Sequence, residues 1–345
     1  MTMARKSLSV LYVGPNEGTS RHRYNALCRC RYNAYLIDPY VSLVPTTGLS
    51  ALASKVGFVG FQRHITRFVL QTIGSRRFDI IWVDQGQVVN STLAAELKRR
   101  CGVLICHNLD NPFVKVNNKR WRLLLEALPS YDVFVTPRAT TRAAAIANGA
   151  KKAVVVWQAA DEIVHQPCEL SASEAEHFES QVVFAGTWMP GRDEFMARLV
   201  QLGVPIRIWG SHWTKAPKHE SLQSVIRGGD LDDYSYVRAI ASAKIALCQL
   251  SIDNEDVHTT RTFEIPSIGT LLCAPRTPDH LELYEDGSEA VFFDDAEECA
   301  ELCKNLLRSE DKWSALAAAG HKRCLVNGRF NERVAKEIIS HALGG

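Results

Sequence analysis

The stretch that decides the fold is TTRTFEIPSIGTLLCAPRTPDHLELYEDGSEAVFFDD, residues 259–295. Hydroxyls, the Arg261 cation and the Glu264 carboxylate fall within six residues, and an apolar run at residues 271–274 follows Gly269. This order predicts a short helix and then a buried strand. Because a helix N-terminus carries unpaired N–H groups and a partial positive charge, we expect phosphate to bind there. A cation next to a carboxylate, which accepts hydrogen bonds from hydroxyls, fits a nucleotide-sugar.

Strand-like and helical patterns alternate on both sides of this stretch, which favours parallel sheets covered by helices. The pattern restarts after residues 158–180, a polar segment with Pro167 that we interpret as a linker. A chain of 345 residues exceeds one ordinary core, so two domains are expected. We predict a first domain over residues 1–162, a second over residues 178–328, and a final helix over residues 329–345.

The composition is that of a globular chain, with 46% apolar and 23% charged residues. No apolar run reaches the roughly 18 residues of a membrane span, and the first residues lack the pattern of a secretory signal. The ten cysteines predict a reducing compartment, so we expect a cytoplasmic protein. The spacings Cys28-x-Cys30 and Cys299-x3-Cys303 do not form a zinc motif, and no metal is expected.

The charge is distributed unevenly along the chain. Residues 1–77 hold eleven Lys and Arg against two acidic residues, hence +9, and the remaining 29 against 36 give −7. A basic first third suggests an anionic surface or acceptor, and a solvated face without a partner is the alternative. Nucleic acid is not expected, because the net charge is small and no basic–aromatic binding motif is present.

A basic amphipathic segment, KVGFVGFQRHITRFVLQTI at residues 55–73, places phenylalanines and aliphatic residues on one helical face. Such a helix suits the surface of an anionic membrane, where lipid-linked acceptors lie. The same stripe is typical of a helix packed on a core. The sequence leaves both interpretations open.

Several segments together resemble a known family. They are residues 11–15 (LYVGP), 184–192 (FAGTWMPGR), 261–264 (RTFE) with Gly269-Thr270, and 284–295. The chain resembles the CgeB-like (spore-maturation type) glycosyltransferases, within the glycosyl transferases group 1. The resemblance implies an α/β chain of GT-B fold, with two Rossmann-like domains facing each other across a cleft and a C-terminal helix crossing back to the N-terminal domain. It also implies that the C-terminal domain holds a nucleotide-sugar donor and the N-terminal domain an acceptor.

Many retaining members of the resembled family carry a Glu-x7-Glu pair. Glu264 matches the second glutamate, which in the family accepts hydrogen bonds from ribose, and Asp256 falls at the position of the first. Aspartate is one methylene shorter, so its reach toward the sugar is altered. The partial pattern favours retention of configuration.

The diphosphate of the donor is the leaving group, and the protein must bind it. Arg192 and Arg261 are candidates for binding the diphosphate without a metal. A surface ion pair is the alternative for Arg261, and a helix-start position is the alternative for Arg192. Asp230-x-Asp232 is better read as a helix cap than as a metal motif. Trp213 either stacks on the base or covers the core. The expected donor-binding residues are Gly186, Thr187, Arg192, Gly210, Ser211, Gly229, Asp230, Thr259, Thr260, Arg261 and Glu264.

In the first domain, strand-ending loops are expected to approach the donor or the acceptor. The residues concerned are Gly14, Gly18, Arg21, Asp84 and Asn108. The glycine loops at Gly14 and Gly186 do not match G-x-G-x-x-G, and ordinary tight turns remain the alternative. His107 and Asp110 are candidates for a catalytic base, and a hydrogen-bonded structural role is the alternative for each.

The sequence therefore predicts a hexosyltransferase-like enzyme that moves a sugar from a nucleotide-diphosphate donor to a hydroxyl of a glycan, lipid-linked or protein acceptor. It is expected to need no metal and no cofactor other than the donor. Two alternatives stay open: a sugar-nucleotide epimerase of the same fold, and a non-catalytic nucleotide-sugar-binding module. Products formed with and without an acceptor separate the three. The oligomeric state is not predicted.

Overall fold

The structure is a computed structural model that describes residues 7–43, 57–114 and 118–345. The chain forms two compact units. Unit 1 comprises Met1–Trp157 with Asn331–Gly345, and unit 2 comprises Gln158–Phe330. The predicted boundaries lay at residues 162/178 and 328/329.

Unit 1 contains a six-stranded parallel sheet in the order β2-β1-β3-β4-β5-β6. Its strands are β1 (Ser9–Val13), β2 (Asn33–Ile37), β3 (Phe78–Asp84), β4 (Cys101–His107), β5 (Val133–Thr136) and β6 (Ala153–Val155). Its α-helices are α1 (Gly18–Arg29), α2 (Gln62–Ile73), α3 (Ser91–Lys98), α4 (Asn118–Ala127), α5 (Ala139–Ala147) and, from the end of the chain, α14 (Asn331–Leu343).

Unit 2 also contains a six-stranded parallel sheet, but its strands are connected differently, in the order β12-β11-β10-β7-β8-β9. Its strands are β7 (Ser180–Ala185), β8 (Ile206–Trp209), β9 (Ile226–Gly228), β10 (Ala243–Leu247), β11 (Leu271–Pro275) and β12 (Val291–Phe293). Its α-helices are α6 (Ala172–Phe178), α7 (Arg192–Gln201), α8 (His219–Leu222), α9 (Asp233–Ala241), α10 (Arg261–Ile268), α11 (Pro278–Leu283), α12 (Ala296–Leu307) and α13 (Glu310–Asn327).

The core of each unit follows from the sequence of its central strands. Residues of β3 from Ile80 to Val83 are all buried, as expected for a parallel strand covered on both faces. Helix α2 contributes Ile65, Val69 and Ile73 to the same core. The apolar face of the predicted membrane-binding segment is therefore used in packing, at least over residues 57–73; Lys55 and Val56 lie outside the described residues.

Helix α10 begins at Arg261, as its sequence predicted, and ends before Gly269. Pro266 lies inside it and has no N–H to donate to the carbonyl of Thr262, four residues earlier. The phenol of Tyr284 donates to that carbonyl instead, at 3.0 Å. The helix thus keeps its buried carbonyl satisfied despite the proline.

The last helix of the chain, α14, packs in unit 1 against α1. Arg29 of α1 forms an ion pair with Glu332 at 2.8 Å, and Ile338 and Ile339 are buried. None of the helices within the described ranges is both long and apolar enough to cross a membrane.

The segment interpreted as a linker is more ordered than its polarity indicated. Residues 172–178 form α6, which starts with a capping box: Ser171 accepts from the N–H of Glu174, and Glu174 accepts from the N–H of Ser171. The Ser-x-x-Glu spacing was the available signal. Strands β9 and β12, each of three residues, were also missing from the prediction.

Candidate functional site

The site in unit 2 lies where the strand order reverses. Strands β7 and β10 are neighbours, and the chain leaves them toward opposite edges of the sheet. The loops that follow such strands diverge and open a crevice, which is where open α/β sheets bind ligands. The Gly186 loop follows β7, and the segment leading to α10 follows β10.

Arg261 joins these two loops. Its Nε donates to the carbonyl of Ala185 at 2.7 Å, and its own N–H is bound by the hydroxyl of Thr259 at 3.1 Å. Its guanidinium lies directly over Gly186, where an added Cβ would approach Nη2 to 2.8 Å. Only glycine leaves room for the cation at this point.

Arg192, at the start of α7, also reaches the loops that follow β7 and β10. It donates to the carbonyls of Thr187 at 2.8 Å and Gln249 at 3.1 Å, while its buried Nε has no partner within the described chain. Burial, and then the nearby Arg261 cation, lower the pKa of Arg192 to about 10. No carboxylate of the described residues forms an ion pair with either arginine. Two cations therefore lie close together without a counter-ion from the described part of the chain.

Glu264 is buried in α10, three residues from Arg261. Its Oε2 accepts a hydrogen bond from the phenol of Tyr236 at 2.8 Å, and its Oε1 lies 3.8 Å from Nε2 of His165. Burial, and then the Glu264 charge, raise the pKa of Tyr236, so the phenol stays a donor. Because Nδ1 of His165 accepts from the N–H of Asp161, its proton lies on Nε2, facing the carboxylate. Sequence reasoning missed both Tyr236 and His165, which lie 28 and 99 positions away.

Asp256 is occupied by its own loop. Its two oxygens accept from the N–H of Ser251 at 3.2 Å and from the amide of Asn254 at 2.9 Å. These bonds hold the loop that follows β10. The sequence predicted that the Asp256 carboxylate faces the sugar. In this structure it holds the backbone that leads to α10.

The loops after β7, β8 and β9 are tied together by the remaining predicted donor residues. The hydroxyls of Thr187 and Ser211 bond at 3.1 Å, and Asp230 accepts from the N–H of Ser211 at 3.1 Å. A Cβ on Gly210 would lie 2.1 Å from the carbonyl of Gly186, so these loops touch through bare backbone.

The acidic run beyond Gly229 is a helix cap. Asp232 accepts from the N–H of Ser235 at 2.8 Å at the start of α9, as the sequence indicated. Thr260 occupies the equivalent cap position of α10, where its carbonyl accepts from the N–H of Glu264.

Trp213 does not offer a face to a base. It is 2% exposed, donates to the carbonyl of Gly186 at 2.9 Å and packs on Phe184. The interpretation of Trp213 as a cover of the core is the one that the structure bears out. A different tryptophan, Trp209, lines an open cavity of about 590 Å³ together with Arg207 and Arg227.

In unit 1 the strand order reverses between β1 and β3, and an ion pair fills this position. Arg23 donates to both oxygens of Asp84, at 3.2 and 2.8 Å, and both side chains are buried. A Cβ on Gly14 would come within 2.7 Å of Cβ of Asp84, so glycine is required for this approach. Asp84 was expected to meet acceptor hydroxyls, but its oxygens are already engaged.

His107 is buried at the end of β4. Burial, and then the Arg23 cation, lower its pKa to about 3. A neutral imidazole of such low basicity is a poor general base near neutral pH. The structural role left open by the sequence is the one that this environment favours.

The loop after His107 is held by its own polar groups. Asn108 is fully buried and accepts from the N–H of Asp110, and Asp110 forms an ion pair with Arg120 at 3.3 Å. Gly18 starts α1 with a positive φ of 47°, and Arg21 of that helix is exposed.

Among the described residues, one group of thiols is spaced closely enough to hold a metal. It consists of Cys273, Cys299 and Cys303, whose sulfur atoms lie within 4.8 Å of one another. All three are buried in the hydrophobic core of unit 2, where thiols pack as small apolar groups. Sequence spacing showed only the second and third members.

The profile of a family described as "Glycosyl transferase-like" matches residues 192–340 of the chain. No curated protein shows significant sequence similarity. Similar solved structures include HepE of Anabaena in complex with UDP-glucose, with a TM-score of 0.66, 14% identity and coverage of 97% of this chain and 99% of that one.

Two further similar structures carry the same fold. Sucrose-phosphate synthase from Thermosynechococcus elongatus has a TM-score of 0.67 at 11% identity, covering 96% of this chain and 97% of that chain. The other, trehalose-6-phosphate from E. coli bound with UDP-2-fluoro glucose, has a TM-score of 0.64 at 12% identity, covering 98% of this chain and 99% of that chain.

These findings confirm the predicted α/β, GT-B fold class. Together with the family profile, they also confirm the prediction of a glycosyltransferase-type enzyme. They do not identify the CgeB-like branch.

Proposed function

We propose that the protein transfers a sugar from a uridine-diphosphate sugar to an acceptor hydroxyl, without a metal and with retention of configuration. Unit 2 holds the donor and unit 1 the acceptor in this proposal. The similar structures of HepE and of the E. coli protein contain UDP-glucose and UDP-2-fluoro glucose, which supports the choice of donor.

One observation carries the proposal: the two arginines at the β7–β10 switch point form no ion pair with any carboxylate that the structure describes. Cations of like charge held close together raise the energy of the empty site, and a diphosphate with two negative groups removes that repulsion. Arg192 still has an unpartnered Nε, and Arg261 lies against bare Gly186 backbone. The position of Arg192 and Arg261 therefore favours the binding of an anionic ligand.

The chemistry follows from these charges. Transfer breaks the bond between the anomeric carbon and the diphosphate oxygen, and negative charge grows on the leaving group. Arg192 and Arg261 stabilise that charge, and they take the part that a divalent ion plays in metal-dependent transferases. No cofactor other than the nucleotide-sugar is required.

Glu264 binds the ribose in the proposed complex. One of its oxygens already accepts from Tyr236, and a carboxylate has lone pairs for further hydroxyl donors. Tyr236 and His165 keep the carboxylate in one orientation, so they are positioning residues. Asp256 has the same status, because its bonds shape the loop that leads to α10.

The test uses UDP-glucose and measures the release of UDP, with water or an added acceptor. We expect Glu264→Gln, which keeps the shape and weakens the charge-assisted bonds to ribose, to lower kcat/KM by about tenfold to a hundredfold. Tyr236→Phe is expected to have a smaller effect. Glu301→Gln changes an exposed glutamate on α12 and is the matched control.

The anomer released from UDP-glucose, followed by NMR before it equilibrates, tests the stereochemistry. The α-anomer is expected, and the β-anomer contradicts retention. Normal turnover in Glu264→Gln contradicts the site assignment, and conversion of the donor into another nucleotide-sugar without an acceptor means an epimerase. All ten cysteines lie within the described residues and none forms a disulfide, which supports a reducing compartment, the cytoplasm, as the place of the reaction.

A further inference from the structure

A second cavity lies within unit 1, beside the exposed edge strand β2. It has a volume of about 360 Å³ and is bordered by α1, β2 and the end of α2. This volume is within the range of small-molecule sites, roughly 300–1,000 Å³. The side chains that matter to its chemistry are Asn16, Arg21, Tyr24, Asn25, Tyr35 and Arg76.

The lining of this cavity carries positive charge, because two arginines and no acidic residue are among the described residues that line it. Helix α1 shows how unusual this is. Its other arginines are paired: Arg23 with Asp84 at 2.8 Å and Arg29 with Glu332 at 2.8 Å. The side chain of Arg21 makes no hydrogen bond or ion pair with any residue that the structure describes, and it borders the cavity.

Arg76 is held in place on the opposite wall. Its guanidinium lies 5.7 Å from the ring centroid of Tyr35, and it donates to the carbonyls of Ile73 and Thr72. These bonds fix the cation at the end of α2 without neutralising it. A fixed guanidinium loses less side-chain entropy when it binds an anion, so the wall is prepared for one.

The rest of the lining suits a polyhydroxylated ring. Tyr24 and Tyr35 offer aromatic surface, on which the C–H face of a sugar packs. The side-chain amides of Asn16 and Asn25 have no partner in the described residues, and an amide both donates to and accepts from hydroxyls. A wholly apolar ligand would leave these groups and both cations unsatisfied.

We propose that this cavity binds a sugar that carries an anionic group, either a phosphate or a carboxylate. Arg21 and Arg76 bind the anion, and the tyrosines and asparagines bind the ring. That such a sugar is the acceptor, or the anionic end of one, rests on the proposed function; the binding itself does not. The basic charge of residues 1–77 favours the approach of the same ligand.

The experiment is equilibrium binding of glucose 6-phosphate, glucuronate and glucose to the full-length protein by calorimetry, with UDP titrated separately. We expect at least one anionic sugar to bind, and glucose to bind about tenfold or more weakly. Preference between glucose 6-phosphate and glucuronate identifies the anion. Arg21→Gln is expected to weaken the preferred sugar by about tenfold or more and to leave UDP binding unchanged.

Arg67→Gln is the matched control, since Arg67 is an exposed arginine of α2 that does not line the cavity. Asn25→Trp tests whether the sugar binds in this cavity. A bulky ring at residue 25 fills the cavity, so this variant should abolish sugar binding. Equal affinity for glucose and both anionic sugars, or equal affinity in Arg21→Gln and Arg67→Gln, overturns the inference. If the native protein does not bind UDP, the proposed function is contradicted and this inference still stands.

Discussion

Units 1 and 2 each have a six-stranded parallel sheet whose strand order reverses once, yet they treat charge at that reversal in opposite ways. In unit 1, Arg23 is neutralised by both oxygens of Asp84 inside the protein. In unit 2, Arg192 and Arg261 lie close together with no carboxylate bound to them among the described residues. One position is closed by its own counter-ion, and the other is left for an external anion.

The comparison shows how two parallel sheets can differ at the point where the strand order reverses. A buried ion pair contributes little net stability, but it leaves no unsatisfied charge for a ligand to meet. Two cations without a carboxylate partner among the described residues carry a cost in the empty protein that the proposed diphosphate would offset. The reversal is therefore closed by an ion pair in unit 1, and in unit 2 it is the proposed anion site.

The largest effect is expected from breaking the pair in unit 1. Asp84→Ala leaves the buried Arg23 charge without a partner, and we expect the free energy of unfolding to fall by about 3–5 kcal/mol. Urea denaturation measures it. The double variant Arg23→Met with Asp84→Leu removes both charges and should recover most of the loss. A fall of under about 1 kcal/mol in the single variant would contradict the assignment.

The counterpart in unit 2 is Arg261→Gln. Without ligand, we expect the free energy of unfolding to change by less than about 1 kcal/mol, since relief of repulsion with Arg192 offsets the lost bond to Ala185. Turnover of UDP-glucose should fall by about 100-fold to 1,000-fold, the usual cost of removing a donor that binds developing charge. Large destabilisation with retained turnover would reverse the contrast between the units.

The next effect concerns pH and His107, which faces Arg23 and Asp84. Its folded pKa of about 3 lies below the usual value of about 6.5, so the unfolded chain binds the extra proton between these values. The stability contribution is complete above the unfolded pKa and is lost as the pH falls toward 3. Relative to His107→Gln, native stability should drop by about 2 kcal/mol from pH 7 to pH 5. If the stability of the native protein and of His107→Gln changed equally with pH, this prediction would be contradicted.

The smallest effect is expected from removing divalent ions. If two guanidinium groups supply the positive charge at the proposed donor site, turnover of UDP-glucose in excess chelator should equal turnover without it. A strict requirement for added manganese would show that the two arginines do not suffice.

Local patterns were enough to predict the sheets, the two units and the start of α10. Apolar runs such as residues 80–83 are uninterrupted, and Pro266, which is tolerated near the first turn of a helix, places the start of α10 close to Arg261. Short elements escaped because three residues, as in β9, carry too little pattern. Helix α6 was masked by its polarity, although its Ser171-x-x-Glu174 capping box was readable.

The partners of the site residues were beyond the reach of any spacing rule. Tyr236 and His165 meet Glu264 only because α9 and the segment before α6 pass beside α10. Likewise, Asp84 was recognised as a strand-ending carboxylate, but nothing in the sequence indicated that Arg23 would occupy it. Residue type and position at a strand end predict where polar groups gather, and the tertiary structure decides which of them remain available.

The phenol that replaces a missing amide in α10 links two distant positions of the chain. As long as residue 266 is proline, the hydroxyl of Tyr284 has a structural role beside the proposed donor site. An alanine at 266 would restore the ordinary helical bond and free residue 284 to become phenylalanine. Over evolutionary time these two sites are thus expected to change as a couple, proline with tyrosine, in relatives that keep the same helix.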